Sequence, residues 1–177
     1  MTRYVGYIAM SLDGRIADGD GEIGWLLDYG MPDEAKADYD AFYAGIDALV
    51  MGRATYDWIV ANHEWSYGGR ISYVVTRRPL EAERDDIVAV PPDYPELKAR
   101  LEAAGHRNVW ILGGGVAQRA ALEAGMFDHI RVFVIPVIVG SGPLLFADGP
   151  LHRLELTGSR VWPGGAVEIA YALRHEP

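Results

Sequence analysis

Apolar strand-like segments alternate with helix-like segments along most of this chain, and this alternation restricts the fold more than any other feature. Strands rich in β-branched and aromatic residues are predicted at 3–10, 48–51, 71–76, 87–90 and 108–112. Helices are predicted among these strands, at 32–44, 53–60, 95–104 and 116–124. Such alternation is typical of an α/β fold in which a mostly parallel sheet has helices on both faces.

The C-terminal part of the sequence breaks this pattern. Three strands are predicted at 129–139, 154–161 and 167–173, with no helix between them. The last two predict a hairpin that turns at Pro163-Gly164-Gly165, so we expect a mixed sheet with an antiparallel C-terminal edge. No linker or repeat interrupts the chain, which predicts a single domain over 1–177. The segment 132–139 is too apolar for a free sheet edge, and we expect a homodimer to cover it.

The charge and hydropathy of the chain limit its partners. The formal net charge of −9 argues against binding to nucleic acid backbones or to anionic membranes. No apolar run reaches the roughly 18 residues needed to cross a bilayer. The first residues also lack the basic and then apolar layout of a signal peptide. We therefore expect a cytoplasmic protein whose partner is a small molecule.

The residue types that bind metals or form covalent intermediates are scarce. The chain has no cysteine, which excludes disulfides, thiolate metal sites and a thiol nucleophile. Its five histidines show no ligand spacing, so no metal site is expected. No serine lies in a nucleophile elbow, which leaves covalent hydrolysis without support.

Three consecutive glycines, Gly113, Gly114 and Gly115, lie between a predicted strand and the helix that begins at Val116. Glycine lets backbone N–H groups approach an anion closely, and the start of a helix adds a partial positive charge. A phosphate-binding turn therefore explains this motif. A simple tight turn explains it equally well, because glycine is the usual residue where the backbone is strained.

Two other strand ends carry residue types that bind phosphate. Gly52, Arg53 and Thr55 begin the helix after the second strand, and Thr76 and Arg77 end the third strand. Each match alone also fits a solvated arginine beside a capping threonine. Ligands of parallel sheets bind outside the carboxyl ends of the strands. Three such ends together favour one dinucleotide-binding groove.

Four motifs occur in order along the chain: Tyr7-Ile-Ala-Met-Ser-Leu-Asp-Gly-Arg-Ile-Ala17, Met51-Gly-Arg-x-Thr55, Ile111-Leu-Gly-Gly-Gly115 and Val137-Ile-Val-Gly-Ser-Gly-Pro-Leu-Leu-Phe146. With these motifs the chain resembles the dihydrofolate reductase superfamily. It is most similar to the reductase domain of the riboflavin-biosynthesis deaminase–reductase and to the standalone relatives of that domain. The resemblance covers essentially the whole chain and implies a dihydrofolate-reductase-like fold.

The resemblance also implies NADPH as the hydride donor, held in a defined order along the site. Four residues would lie along the pyrophosphate, with a cis peptide as one option between the first two: Gly113, Gly114, Gly115 and Val116. Three would hold the adenosine side: Gly52, Arg53 and Thr55. Two would flank the 2′-phosphate, Thr76 and Arg77, and two would form a wall for the nicotinamide, Ala9 and Ile16. The loop 11–24 would act as a lid.

Dihydrofolate reductases place a carboxylate on the first helix and an aromatic residue one turn later, both near the substrate. Asp38 and Phe42 have this spacing, and Trp25 resembles the tryptophan that precedes that helix. Asp38 is the expected catalytic acid, because a carboxyl group in an apolar pocket can hold a proton and donate it. Three other acids on the same helix are its rivals: Asp33, Glu34 and Asp40.

The chain also departs from the deaminase–reductase. It has no His-x-Glu with a Pro-Cys-x-x-Cys partner, so zinc-dependent deamination is excluded. Tyr7, an expected substrate contact, stands where the riboflavin reductase carries a lysine. The resemblance thus implies an NADPH-dependent reductase acting on a C=N or C=O of a small heterocycle, either a pterin or folate or a ribosylaminopyrimidine. The alternative is a nucleotide-binding module of the same fold without turnover.

Overall fold

A computed structural model describes residues 1–82 and 84–173 of the chain. The strands are β1 (Arg3–Ser11), β2 (Ala48–Gly52), β3 (Ile71–Val75), β4 (Ile87–Val90), β5 (Asn108–Gly113), β6 (His129–Ile135), β7 (Leu154–Val161) and β8 (Val167–Leu173). The helices are α1 (Gly24–Tyr29), α2 (Asp33–Ala44), α3 (Arg53–Asn62), α4 (Tyr94–Ala103) and α5 (Gly115–Glu123).

The eight strands form one mixed sheet in the order β4-β3-β2-β5-β1-β6-β8-β7. Strand β1 lies between two parallel neighbours, with Gly6 opposite Ile111 of β5 and Ile130 of β6. Strands β2, β3 and β4 continue the parallel part, whereas β8 pairs antiparallel with both β6 and β7. The predicted fold class, a mostly parallel sheet with an antiparallel C-terminal edge, is confirmed.

Helices cover both faces of the sheet because successive side chains of its buried strands point to opposite sides. On one face, Val50 packs in a cluster with residues of α4 and α5 such as Leu101 and Ala121. On the other face, Leu49 packs in a cluster with Ile59 of α3. The adjacent positions 49 and 50 therefore contribute to two different cores, and the sheet is buried on both sides as its apolar strands predict.

Strand β6 is shorter than the sequence predicts and is not a free edge. It ends at Ile135 rather than at residue 139, because Pro136 follows and has no N–H to donate to the ladder. Strand β6 lies between β1 and β8, so it is not a free edge that a homodimer would have to cover. The reason given for expecting a homodimer is therefore wrong. The edge strand on this side of the sheet is β7, whose residues are exposed along nearly its whole length.

The short helix α1 occupies a segment that carries no helix signal in the sequence. It has no side-chain cap, and none of its residues is fully buried. A tertiary contact anchors it: the Tyr29 hydroxyl donates a hydrogen bond of 2.9 Å to the carbonyl of Pro163 and accepts one of 3.1 Å from the Ala166 N–H. The helix therefore depends on the β7–β8 turn, which local sequence patterns do not reveal.

Candidate active site

A cavity of about 1220 Å³ opens at the carboxyl ends of the parallel strands. This is where ligands of such sheets bind. The structure brings to its wall all eleven residues that the sequence predicts for cofactor binding: Ala9, Ile16, Gly52, Arg53, Thr55, Thr76, Arg77, Gly113, Gly114, Gly115 and Val116. Tyr7, one of the three expected substrate contacts, lines the same cavity.

Helices α3 and α5 both begin at this cavity, and neither has its N-terminus capped by a side chain. Helix α3 starts after Gly52 and α5 after Gly114, and neither carries an acidic residue in its first turn. Two other helices differ: α2 starts with Asp33 and Glu34, and Asp93 caps α4. Free N–H groups and the positive end of the helix dipole attract anions. The cavity therefore has two helix ends whose free N–H groups would suit an anion.

The glycine turn holds the start of α5 against the cavity. Gly113 and Gly114 both have positive φ, at 151° and 84°, conformations that favour glycine. No peptide bond in the described residues is cis, so the cis option for Gly113–Gly114 is wrong, and these two positive φ angles make the turn instead. A Cβ on Gly114 would lie 3.2 Å from the Thr55 hydroxyl. The absence of a side chain leaves this space open.

Three arginines line one end of the cavity, and their partners differ. Arg53 forms an ion pair with Asp57 at 2.6 Å and donates to the carbonyl of Pro79 at 2.9 Å. Arg78 lies 3.5 Å from the same carboxylate. Arg77 is exposed and has no ion pair or hydrogen bond with the rest of the described chain. Its charge is therefore the one that remains available to a ligand phosphate.

The loop 11–24 forms the opposite wall together with the segment 137–147. The carboxylate of Asp13 accepts hydrogen bonds from the N–H groups of Val139 and Gly140, at 3.0 and 2.8 Å, and from the Ser11 hydroxyl. These bonds, that of Ser11 foremost, lower the pKa of Asp13 to about 2. Asp13 is thus more than the simple turn residue that its position before a glycine suggests, because it joins two loops.

The same loop reaches across the cavity to α3. The Trp58 indole N–H donates a hydrogen bond of 3.0 Å to the Glu22 carboxylate. Nearer the start of the loop, Arg15 donates to the carbonyl of Gly142, and the Ile16 N–H donates to that of Pro143. The loop is therefore held at its start and near its end, in the place expected of a lid.

Asp38 does not line the cavity and lies behind Tyr7. The Tyr7 hydroxyl donates a hydrogen bond of 3.2 Å to the Asp38 carboxylate, and Arg131 donates one of 2.7 Å to the same oxygen. Arg131 also pairs with Glu168, which accepts a hydrogen bond from the Trp162 indole. The expectation that Asp38 lies in an apolar pocket is thus wrong, because the guanidinium of Arg131 faces its carboxylate.

This polar network affects its members in different ways. Burial, together with the nearby Asp38 carboxylate, raises the pKa of the Tyr7 phenol above its ordinary value. Burial alone would lower the pKa of Arg131, but the hydrogen bonds to Glu168 and Asp38 outweigh it and raise that pKa. Tyr7 therefore stays a neutral phenol at neutral pH, and Arg131 stays a cation.

Comparison with known proteins agrees with this architecture. The family model described as the RibD C-terminal domain matches residues 5–167. The chain belongs to the RibD C-terminal domain family. The relationship inferred from the sequence motifs is confirmed.

Relatives of this RibD C-terminal domain protein include the uncharacterized protein YwjB of Bacillus subtilis (strain 168), 32% identical over 167 residues that cover 93% of this chain and 94% of YwjB. A putative riboflavin biosynthesis protein from Shewanella sp. PV-4 has a similar structure, with a TM-score of 0.88, 26% identity, and coverage of 99% of this chain and 100% of that one.

A Thermotoga maritima protein named as a diaminohydroxyphosphoribosylaminopyrimidine deaminase and 5-amino-6-(5-phosphoribosylamino)uracil reductase shares the fold, with a TM-score of 0.72 and 15% identity. The match covers 98% of this chain and 57% of that one. The RibD C-terminal domain protein therefore corresponds to a little over half of that longer chain.

Two expected substrate contacts of this RibD C-terminal domain lie outside the cavity wall. Phe42 stacks on the ring of Tyr7 with 4.5 Å between centroids. Trp25 packs against a separate cluster that contains Phe133 and Trp162. Both residues support the ring of Tyr7 or the strand beside it, and neither faces the cavity.

Four aromatic residues that sequence reasoning left unassigned do line the cavity: Trp58, Tyr67, Tyr94 and Trp110. Trp110 lies in the middle of a buried strand, and Tyr67 follows α3 in a loop. Their shared location depends on contacts between distant segments, and no local motif marks it. Only their aromatic character, ordinary for a core, is visible in the sequence.

Neither a metal centre nor a membrane span emerges from the part of the chain that the structure describes. Within 1–82 and 84–173, no group of three or more His, Cys, Asp or Glu side chains is arranged to hold a metal ion. No helix within these ranges has both the length and the apolar character needed to cross a bilayer.

Proposed function

We propose that this chain is an NADPH-dependent reductase that transfers a hydride to a C=N or C=O carbon of a small heterocycle. One observation carries the proposal: a single cavity joins two uncapped helix N-termini, a glycine turn and the unpaired Arg77. This is the set of groups that a dinucleotide with an additional phosphate requires.

The residues present fit the cofactor in a consistent order. The N–H groups that open α5 after Gly114 suit the pyrophosphate, and the open space beside Thr55 lets it approach the backbone. Arg77 would hold the 2′-phosphate, whereas Arg53 is engaged by Asp57 and would serve mainly to shape the adenosine side. Ala9 and Ile16 would form the wall for the nicotinamide.

A bound NADPH supplies the hydride, and the protein supplies placement and a dry site. The loop 11–24, held by Asp13 and Glu22, would exclude water from the reacting atoms. We assign Asp38 a positioning role, because its carboxylate accepts a hydrogen bond from the Tyr7 hydroxyl and so fixes the direction of that O–H. The Tyr7 oxygen would then present its lone pairs to a donor group of the substrate.

The test combines binding with turnover. NADPH and NADH are titrated by calorimetry, and NADPH oxidation is then followed with dihydropterins, folates and aminopyrimidines, including the 5-amino-6-(5-phosphoribosylamino)uracil named for the Thermotoga maritima protein. Steady oxidation with any of them supports the reductase. Tight NADPH binding without turnover on the whole panel favours the nucleotide-binding module, and no affinity for NADPH overturns both.

We also propose a homodimer that uses the β7–β8 hairpin. Leu156 is opposite Tyr171 and Val161 is opposite Val167, so these side chains share one face of the hairpin. Leu156 is 59% and Val161 71% exposed, so a second copy that covers this face would bury their apolar area. Light scattering after gel filtration tests this: we expect a dimer that Leu156→Lys dissociates, and a monomeric parent protein overturns it.

A further inference from the structure

The cavity has an aromatic end that is distinct from its arginine-rich end. This aromatic end is formed by Tyr7, Trp58, Tyr67 and Trp110. Ile23 of the loop 11–24 and Leu26 of helix α1 also line the cavity. The ring centroids of Tyr67 and Trp110 are 5.9 Å apart, and those of Tyr7 and Trp110 are 6.4 Å apart. Such a set of ring faces and edges suits a planar ligand.

No charged residue of the described cavity wall stacks on the rings of Tyr7, Tyr67 or Trp110, and the cation over Tyr7 is Arg131. Among the described residues, five charged side chains line the cavity: Arg15, Arg53, Arg77, Arg78 and Asp148. Three of them gather at the arginine-rich end around Asp57 and Thr76. The other two lie near the glycine turn. The backbone of Arg15 forms a β-bridge with that of Leu144. Asp148 follows Ala147, whose N–H donates a hydrogen bond to the Gly115 carbonyl.

The cation nearest to the aromatic end is not available to a ligand there. The guanidinium of Arg131 lies 4.9 Å from the centroid of the Tyr7 ring, but Arg131 does not line the cavity. Its charge is already matched by Asp38 and Glu168. A phosphate in the aromatic end would lose its hydration without gaining a cation, which is costly for a group with nearly two negative charges.

The aromatic end does offer unpartnered polar groups. The indole N–H of Trp110 is buried and has no partner in the described structure, and the hydroxyl of Tyr67 is also free. This hydroxyl has no hydrogen-bond partner among residues 1–82 and 84–173, although Tyr67 lines the cavity. Burial raises the pKa of this phenol above its ordinary value, so the group is neutral. It can both donate and accept a hydrogen bond. A ligand with a ring N–H or carbonyl would satisfy it.

The geometry points to a neutral, planar heterocycle without a phosphate group as the substrate class, stacked in the aromatic end and hydrogen-bonded to Tyr67. This inference rests on the proposed reductase function and narrows its substrate. It disfavours a phosphoribosylated pyrimidine, because the phosphate would need a cation beside the rings of Tyr7, Tyr67 and Trp110, where no arginine of the described cavity wall stacks.

A matched pair of ligands tests the charge of the substrate. Binding of an aminopyrimidine riboside and of its 5′-phosphate to the NADPH-saturated protein is measured by calorimetry, with a dihydropterin as a second neutral ring. We expect the riboside to bind at least about tenfold more tightly than its phosphate. Equal or tighter binding of the phosphate overturns the inference, and so does the absence of binding by every neutral ring.

This experiment is independent of turnover. Binding of a neutral ring without NADPH oxidation supports the inference while contradicting the reductase function. Oxidation of NADPH together with preferred binding of the phosphorylated ligand supports the reductase function and contradicts the inference. The two proposals therefore fail separately.

A pair of variants tests the role of Tyr67. Tyr67→Phe keeps the ring and should weaken binding of the neutral heterocycle by about 3- to 10-fold, with NADPH affinity unchanged. Tyr43→Phe is the control, because the ring of Tyr43 lies 6.1 Å from that of Tyr67 but does not line the cavity, and its buried hydroxyl has no partner in the described structure. Equal effects of the two substitutions, or no effect of Tyr67→Phe, overturn the assignment.

Discussion

Trp58 and Glu22 are 36 residues apart in the sequence, yet the indole N–H of one donates a 3.0 Å hydrogen bond to the carboxylate of the other. This bond joins the loop 11–24 to helix α3, and Trp58 itself lines the cavity. The loop is held by Asp13 at one side and by Glu22 at the other. The Trp58–Glu22 bond therefore ties the loop to a helix that forms part of the cavity wall.

Trp58→Phe should loosen the lid. The substitution keeps an aromatic ring but removes the N–H that binds Glu22, a hydrogen bond of ordinary strength, together with part of the indole. We expect NADPH to dissociate about 2- to 10-fold faster in stopped-flow fluorescence. Trp65→Phe is the control, because the buried Trp65 N–H has no partner within the described residues. Equal dissociation rates in the two variants would show that the bond does not hold the lid.

Arg77→Glu should weaken NADPH far more than NADH. If Arg77 holds the 2′-phosphate, reversing its charge costs a charge-assisted hydrogen bond and adds repulsion, about 10- to 100-fold in affinity. NADH lacks this phosphate and should lose little. Arg107→Glu, at the opposite end of the sheet beside the start of β5, controls for the change in net charge. Calorimetric titration of both cofactors decides, and equal losses for NADPH and NADH contradict the assignment.

Gly114→Ala should separate backbone strain from loss of the phosphate-binding space. At φ 84° an alanine is strained by about 1–2 kcal/mol, and its Cβ would crowd the Thr55 hydroxyl at 3.2 Å. Gly105→Ala has a similar positive φ of 76° but meets no atom within 4 Å. We expect both variants to lose stability in urea unfolding, and only Gly114→Ala to lose NADPH binding. Retained binding in Gly114→Ala would argue against a pyrophosphate at this turn.

Asp13→Asn should lower Tm at neutral pH and have little effect in strong acid. The folded-state pKa of Asp13, about 2, is below its ordinary value of 3.8, so the ionised carboxylate stabilises the folded protein. This contribution is complete above 3.8 and is lost as the pH falls from 3.8 toward 2. The difference in Tm between parent and variant should shrink over that interval. A difference independent of pH would mean that the charge of Asp13 is not what joins the loops.

Local sequence patterns were sufficient for the elements that their own residues determine. The strand at 87–90, the hairpin turn at 163–165 and the glycine turn at 113–115 all lie where expected, because apolar runs and glycines act over a few residues. Helix α1 and the Tyr67–Trp110 contact could not be predicted, since both depend on segments far apart in the chain. The position of Asp38 was misjudged for the same reason: its partner Arg131 comes 93 residues later.

Arg131 and Glu168 should prove to be energetically coupled. Glu168 is 7% exposed, so Arg131→Met leaves a buried carboxylate without its cation and should destabilise the protein by about 2–4 kcal/mol in urea unfolding. The double variant Arg131→Met, Glu168→Gln removes both charges, and the new amide can still accept the Trp162 hydrogen bond. We therefore expect it to regain most of the loss.

Asp38→Asn provides the comparison for this cycle, because Asp38 contacts the same guanidinium but its side chain is 27% exposed. Water can solvate what that pair loses, so the expected cost is below about 1 kcal/mol. A double variant no more stable than Arg131→Met would show that the cost comes from lost packing of the arginine side chain. In that case the network would not fix the orientation of Tyr7 through charge, and the positioning role of Asp38 would lose its physical basis.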